Sequence, residues 1–405
     1  MNSKNSQHTF TNESASNAYV ALGGLYIFLY YAMGAYSPLL TEYFKSIHLT
    51  GIEIGTLSSI TPVVSLLLQP VWGMICDKFQ IRKKALILAL IAAACISFLF
   101  TFINTYAWVF FTIAFWSIFQ CAAIPISDSL TLSYVSKRSM HFGSIRLWGA
   151  IGFAIAAFLT ALAVQQWGPS AIFYSTGLAY FLAVLFLIRI PDERIERREL
   201  PRNSFKKAGT LFKIPRFILF LLCTFFVFGS MNAHNTWFNL YYQHIGGEIA
   251  TLGLAFLLFA GSEVPCMKLA SRLIKKIGLE QTLLFACIVS GARWFFYGSA
   301  PSTTIILSLF FLQGLSVGLF LATAAQYVRE NTPLSLQVTA LAVFTSFGVG
   351  LGSMFANYTA GWVMEYYGIL QTYTFFGIST LLGIIPLLLI CYGPWKRNSE
   401  EIVTE

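Results

Sequence analysis

Two apolar segments meet at a short charged turn in GMICDKFQIRKKAL, which runs from Gly73 to Leu86. The apolar residues predict a helix that stops at Asp77, and the basic turn with Arg82 and Lys83 leads into a second apolar run. Asp77 can accept hydrogen bonds from backbone N–H groups or from a basic residue of a neighbouring helix. Two interpretations stay open: a cytoplasmic gate formed by Asp77, Arg82 and Lys83, or a helix-ending aspartate beside cations that set the topology.

The alternation of apolar run and polar turn continues along all 405 residues, of which 57% are hydrophobic and 11% charged. Soluble domains carry about 25% charged residues, whereas lipid lets apolar side chains face outward. About 20 apolar residues cross a bilayer as one helix. The sequence therefore predicts an all-α polytopic membrane protein. Its twelve transmembrane helices are expected at residues 19–41, 51–76, 84–103, 105–134, 142–165, 169–190, 216–243, 249–271, 279–299, 303–328, 336–363 and 367–392.

The basic residues cluster in every second loop, although the net charge of +9 by itself could suggest a nucleic-acid partner. The loops between these clusters contain a single lysine or arginine, Lys45. This asymmetry is typical of the positive-inside pattern. We therefore expect a multi-pass protein of the cell membrane with both termini in the cytoplasm, and no binding of nucleic acid.

The two halves of the chain are related in pattern. A polar segment at 191–215 separates six helices at 19–190 from six at 216–392, with short tails at 1–18 and 393–405. This pattern predicts two pseudo-symmetric six-helix bundles that face each other across a central cavity. Three pairs of glycines are each 200 residues apart: Gly152 and Gly352, Gly168 and Gly368, Gly177 and Gly377.

Four ionisable residues interrupt the apolar runs, and such residues inside a membrane are costly and by default functional. Asp128 and Arg146 each lie nine residues from Lys137, which places both about 13 Å along adjacent helices. Glu263 and Arg293 are likewise equidistant from the turn between the eighth and ninth predicted helices. Each half thus offers an acid and an arginine at equal depth. The pairs either only neutralise buried charge or face the cavity and bind solute or protons.

The seventh predicted helix contains the polar sequence GSMNAHNTWFNLYYQ, residues 229–243. Asn232, Asn235 and Asn239 are spaced so that they share one helix face. This face either lines a cavity or makes hydrogen bonds between helices. His234 projects about a hundred degrees away from Asn235 and is either a structural group or part of a proton path.

Several segments closely resemble the major facilitator superfamily, and more narrowly the group of the lactose permease and the phenylpropionate permease. They are MGAYSPLL (Met33–Leu40), QPVWGMICDKFQIRKK (Gln69–Lys84), FGSIRLWGAIGFA (Phe142–Ala154) and SGARWFFYG (Ser290–Gly298). The resemblance covers nearly the whole chain and implies the major facilitator fold. It places Asp128 and Arg146 on the acid and arginine that bind galactoside in the lactose permease, and Arg293 on an arginine of its proton-coupling region.

This sequence also departs from the lactose permease. A histidine and a glutamate on the tenth helix of that family are linked to proton movement, and the matching positions here are Gln313 and Ser316, neither of which titrates. We therefore expect Glu263, or else Asp128, to carry any coupled proton. Phe153 matches a tryptophan that stacks on substrate; phenylalanine can still stack but lacks the indole N–H, which argues against galactoside specificity.

These residues predict a secondary active transporter, a solute:proton symporter that imports a saccharide or nucleoside by alternating access. The predicted proton-coupling residues are Glu263, Arg293 and His234. The alternatives are an uptake permease for aromatic acids such as phenylpropionate, an exporter, or a transporter-like sensor. The predicted substrate-binding residues are Asp128, Arg146, Phe153, Asn232, Asn235, Asn239 and Gln313.

Two of the alternatives have little support in the sequence. The fifth predicted helix lacks the proline expected of an exporter, and the tails and linker are too short for a sensor domain. No phosphate-binding loop, metal cluster or catalytic triad pattern occurs in the chain, so we expect neither an enzyme nor a cofactor. The expected partners are a small-molecule substrate, protons and the lipid bilayer, with the protein acting as a monomer.

Overall fold

Twelve long helices make up the fold in the computed structural model, which describes the backbone at residues 3–135, 141–191, 209, 211–333 and 336–393. Side chains are described from residue 18 onward within these ranges, except at Val338. The helices are α1 Ala18–Ser46, α2 Gly51–Phe79, α3 Arg82–Phe102, α4 Tyr106–Val135, α5 Phe142–Trp167, α6 Ala171–Arg189, α7 Pro215–His244, α8 Ile249–Ile277, α9 Leu279–Gly298, α10 Phe311–Glu330, α11 Thr339–Tyr367 and α12 Ile369–Tyr392.

These helices confirm the predicted all-α class, because the described ranges contain no strand. Eleven of them are long and apolar enough to cross a membrane; α9, with Arg293 near its end, is the twelfth. Some predictions lie outside the described residues: Lys137, most of the linker at 191–215, and the tail beyond residue 393. Within the tail predicted at 1–18, the backbone is already helical from Ser3.

The ends of two helices differ from the sequence prediction. The second helix does not stop at Asp77 but continues to Phe79. Gln80 then adopts φ +55°, which breaks the helical backbone, and its side-chain amide donates to the Asp77 carbonyl at 2.8 Å. The tenth predicted helix is divided into a short helix, Thr303–Ser308, and α10.

The described chain forms two compact units. Unit 1 comprises Met1–Leu49, Val63–Arg197 and Glu248–Leu257; unit 2 comprises Thr50–Pro62, Arg198–Gly247 and Leu258–Glu405. Inside unit 1, α1 packs on α5 and α6, and α3 packs on α4 and α6. Inside unit 2, α7 packs on α11 and α12, and α9 packs on α10 and α12. The same neighbour relations therefore recur in the two halves of the sequence.

The paired glycines occupy matching positions in this repeated design. Gly168 and Gly368 both follow the last residue of a helix, with φ of +84° and +89°, a conformation that favours glycine. A Cβ at Gly177 would lie 2.7 Å from Phe98, and one at Gly377 would lie 2.8 Å from a phenylalanine of α9. The duplication inferred from spacing is therefore a duplication of backbone turns and close helix contacts.

Gly152 is expected to be intolerant of even one added methyl group. A Cβ at this position would lie 2.2 Å from the Ile27 carbonyl oxygen on α1, so that α1 and α5 would have to separate. We expect Gly152→Ala to lower stability by about 1–3 kcal/mol. Gly143 lies on the same helix, and a Cβ there would have no atom within 4 Å, so Gly143→Ala is the matched control. Equal melting temperatures of the two purified variants in detergent would contradict the packing argument.

Candidate functional site

An ion pair in unit 1 joins the two charged residues predicted on adjacent helices. Nη1 of Arg146 on α5 donates to Oδ2 of Asp128 on α4 at 2.9 Å. The Arg146 side chain is 50% exposed and the Asp128 side chain 22%. The guanidinium also lies 5.9 Å from the ring centroid of Phe142. The pair is thus a partly exposed guanidinium and carboxylate, which can donate to and accept from a polar molecule.

Tyr26 completes this cluster, and the sequence did not point to it. Its hydroxyl donates to the second carboxylate oxygen of Asp128, Oδ1, at 2.6 Å. The ring is fully buried, stacks on Tyr30 and meets Phe142 edge-on, each with centroids 6.2 Å apart. Tyr26 therefore fixes the orientation of the carboxylate. We call Tyr26, Asp128 and Arg146 the N-terminal cluster.

Phe153, the predicted stacking residue, lies two helical turns beyond Arg146 on α5 and is half-buried. A Cβ at Gly34 would lie 2.4 Å from the Phe153 carbonyl oxygen, so α1 and α5 are in backbone contact at this level. The contact fixes where the Phe153 backbone lies. The stacking role of its ring stays a prediction.

The charged residues of unit 2 are arranged differently from those of unit 1. Arg293 on α9 is 1% exposed, and its Nη1 donates to Oε1 of Gln313 on α10. Nε2 of Gln313 lies 3.4 Å from Oε1 of Glu263 on α8. Among the described residues no cation lies within 4 Å of the Glu263 carboxylate. Glu263 and Arg293, predicted to match the first pair, are therefore connected by an amide instead of an ion pair. We call these three residues the C-terminal cluster.

His234 lies beside this cluster in an aromatic environment and has no exposed surface. Its Nδ1 is 3.0 Å from the Tyr373 hydroxyl, and its ring centroid is 4.9 Å from that of Trp294. The Arg293 guanidinium lies 4.1 Å from the same Trp294 ring. His234 thus packs against the surroundings of Arg293, while its proposed part in proton movement stays a prediction.

The three asparagines of α7 differ in their partners. Asn232 donates to the carbonyl of Phe228 in its own helix at 2.8 Å. Asn239 is fully buried and accepts from Gln243 at 2.9 Å. Asn235 is half-buried, and its side chain makes no hydrogen bond to any residue that the structure describes. A role of the three asparagines in solute binding stays a prediction.

The three residues of the predicted gate have partners in unit 1. Nη2 of Arg82 donates to Oδ1 of Asp77 at 2.5 Å, and its Nη1 lies 3.4 Å from the Ser133 hydroxyl on α4. Lys83 donates to the carbonyl groups of Ile188, at 3.0 Å, and Ile190 at the end of α6. These contacts tie the turn after α2 to α4 and α6. A gating role for the three residues stays a prediction.

These features define a class of protein. In the part of the chain that the structure describes, twelve long helices in two repeated sets of six, with an acid and an arginine inside each set, form the framework of a transporter of the major facilitator type. The MFS_1 like family matches residues 19–375, and the chain belongs to this family. The protein is a transporter and not an enzyme.

Three known proteins illustrate the similarity. The maltose permease of Geobacillus stearothermophilus is 36% identical over 378 residues, which cover 93% of this chain and 95% of that protein. The probable 3-phenylpropionic acid transporter of Escherichia coli (strain K12) is 24% identical, covering 87% and 92% of the two chains. The crystal structure of the nucleoside transporter NupG matches with a TM-score of 0.81 at 17% identity, covering 94% and 100%. The last similarity shows the fold alone.

Proposed function

We propose that this protein imports a disaccharide of the maltose class together with a proton, by alternating access. The observation that carries the proposal is the partly exposed Asp128–Arg146 ion pair. A carboxylate and a guanidinium side by side can accept from and donate to neighbouring hydroxyl groups, as sugar recognition requires. The 36% identity to a maltose permease over nearly both whole chains supports a saccharide as the solute.

The arrangement of the arginines favours a neutral solute over an organic anion. Arg146 is already neutralised by Asp128, and Arg293 is almost fully buried. An aromatic acid would need a cation that is both accessible and free of a counterion. Phe153, which can stack on the apolar face of a sugar ring as well as on an aromatic ring, fits either solute. The charge balance therefore favours a saccharide as the solute.

Glu263 is the residue that we propose carries the proton. It lies inside α8, and its one described hydrogen-bond partner is the neutral amide of Gln313. A carboxylate without an ion-pair partner can be protonated and deprotonated without breaking a salt bridge. Binding of a proton to this carboxylate would alternate with release of the proton to the cytoplasm. The positive-inside pattern supports a cell-membrane location with both termini in the cytoplasm, and we expect the monomer to be sufficient.

A reconstitution experiment tests the proposed function. Purified protein is placed in liposomes, and external pH is recorded as maltose, sucrose, a nucleoside or 3-phenylpropionate is added. We expect maltose to cause alkalinisation of the medium, because sugar and proton enter together. A response to 3-phenylpropionate but not to any sugar would instead identify an organic-acid permease. Net uptake of labelled maltose without any pH change would rule out proton coupling.

A further inference from the structure

Gln313 connects a buried cation to a buried carboxylate. Its Oε1 accepts from Nη1 of Arg293, and its Nε2 donates to Oε1 of Glu263 at 3.4 Å. Because arginine can only donate, the amide oxygen must face Arg293, and the amide nitrogen is thereby left for the carboxylate. Gln313 is 4% exposed, so little of its surface is left for a solute. The geometry is that of a bridge between two protein groups.

The backbone of α10 holds this bridge in place. A Cβ at Gly314 would lie 2.3 Å from the Ser262 carbonyl oxygen, and one at Gly318 would lie 2.9 Å from that of Glu263. The two glycines therefore bring α10 into backbone contact with α8 beside the acid. The segment Gly314–Gly318 is π-helical, an irregularity that is frequent at functional sites. Gln313 immediately precedes it and is positioned by this contact.

Arg293 remains incompletely paired. Its Nε and Nη2 groups are buried without a described hydrogen-bond partner, and a buried arginine without a counterion is costly. His234, Tyr297 and Tyr373 surround Arg293, while Cys266 is the titratable group next to Glu263 on its own helix. The nearby carboxylate is thus the natural counterion of Arg293. The amide of Gln313 stands between the two.

We propose that Gln313 is a positioning residue for proton exchange at Glu263: it keeps the carboxylate from forming a direct ion pair with Arg293. This inference rests on the proposed function and replaces the predicted role of Gln313 in substrate binding. A direct ion pair would tie the carboxylate to the guanidinium through the whole cycle. With a neutral donor in between, Glu263 takes up and releases its proton without that pair being made or broken.

Two variants at this position and one control elsewhere on α10 separate the possible roles. Gln313→Leu keeps the size of the side chain but removes donor and acceptor. Gln313→His restores both, because a neutral imidazole has one N–H and one unprotonated nitrogen. Gln326→Leu, farther along α10, is the matched control. In liposomes, maltose accumulation driven by a pH gradient is compared with equilibrium exchange of labelled maltose.

We expect Gln313→Leu to reduce accumulation about tenfold or more, since buried hydrogen bonds to two charged groups are lost. Exchange, which needs no net proton movement, should persist with an unchanged KM. Gln313→His should recover most of the accumulation, and Gln326→Leu should behave as the unsubstituted protein. If Gln313→Leu does not fold, Gln313→Met, with a longer and more flexible apolar side chain, serves in its place.

Two outcomes overturn the positioning role while leaving the proposed function intact. An increased KM for exchange in Gln313→Leu would make Gln313 a solute ligand. Normal accumulation in Gln313→Leu together with failure of Gln313→His would make it a packing residue. If the unsubstituted protein takes up maltose in net amounts without proton uptake, the proposed function fails, and the positioning role fails with it.

Discussion

Substitution of Glu263 by glutamine is expected to abolish the accumulation of maltose against a gradient while leaving exchange intact. Glutamine has nearly the shape of a protonated glutamate and can still bond to Gln313, but it cannot release a proton. A transporter locked in the equivalent of its protonated state can change the side to which its binding site opens when solute is bound. It cannot do so when the site is empty. Accumulation driven by a pH gradient should therefore fall to the equilibrium level.

The measurement is uptake of labelled maltose into liposomes with and without a pH gradient, followed by counterflow in the same preparation. Glu248→Gln is the matched control, because Glu248 is an exposed carboxylate just before the first residue of the same helix. Undiminished accumulation by Glu263→Gln would remove Glu263 from the coupling mechanism and return the role to Asp128. Loss of exchange as well as accumulation would instead assign Glu263 to solute binding or to folding.

Much of the fold could be predicted because it depends on features that a sequence displays directly. Continuous apolar runs give the helices, and glycines mark where the backbone needs positive φ or close approach. Gly168 and Gly368 are the clearest case, since both follow the end of a helix with φ of +84° and +89°. Boundaries set by a single residue were less predictable. Gln80 follows the end of α2 with a positive φ, which a glutamine does not predict.

The candidate site could be predicted only in part, because spacing along a helix gives depth but not side-chain direction. Equal depth on adjacent helices predicted that Asp128 and Arg146 could pair, and Nη1 of Arg146 lies 2.9 Å from Oδ2 of Asp128. The same reasoning failed to show that Gln313, from a third helix, would stand between Glu263 and Arg293. A bridging side chain depends on helix rotation and rotamers, which periodicity does not contain.

Replacement of Asp128 by asparagine should cause the largest loss of solute binding. The substitution keeps the shape of the side chain but removes the charge that pairs with Arg146, and it replaces one of the two oxygens that accept from Arg146 and Tyr26 by an NH2 group, which only donates. In this partly exposed pair, the loss of a hydrogen bond to a charged group costs about 1.5–3 kcal/mol, which corresponds to roughly tenfold to 150-fold weaker binding. The loss should appear in the Kd for maltose, measured by isothermal titration or by protection from thermal unfolding.

The double variant Asp128→Asn with Arg146→Gln distinguishes a direct role of the carboxylate from an indirect one. If Asp128→Asn fails only because it leaves the Arg146 charge without a partner, removal of that charge should restore much of the affinity. We expect no such rescue, because both groups are proposed to contact sugar hydroxyls. Tyr26→Phe, which removes one hydrogen bond to Asp128 and no charge, should weaken binding by about tenfold or less. Full affinity in the double variant would show that the ion pair serves only to neutralise buried charge.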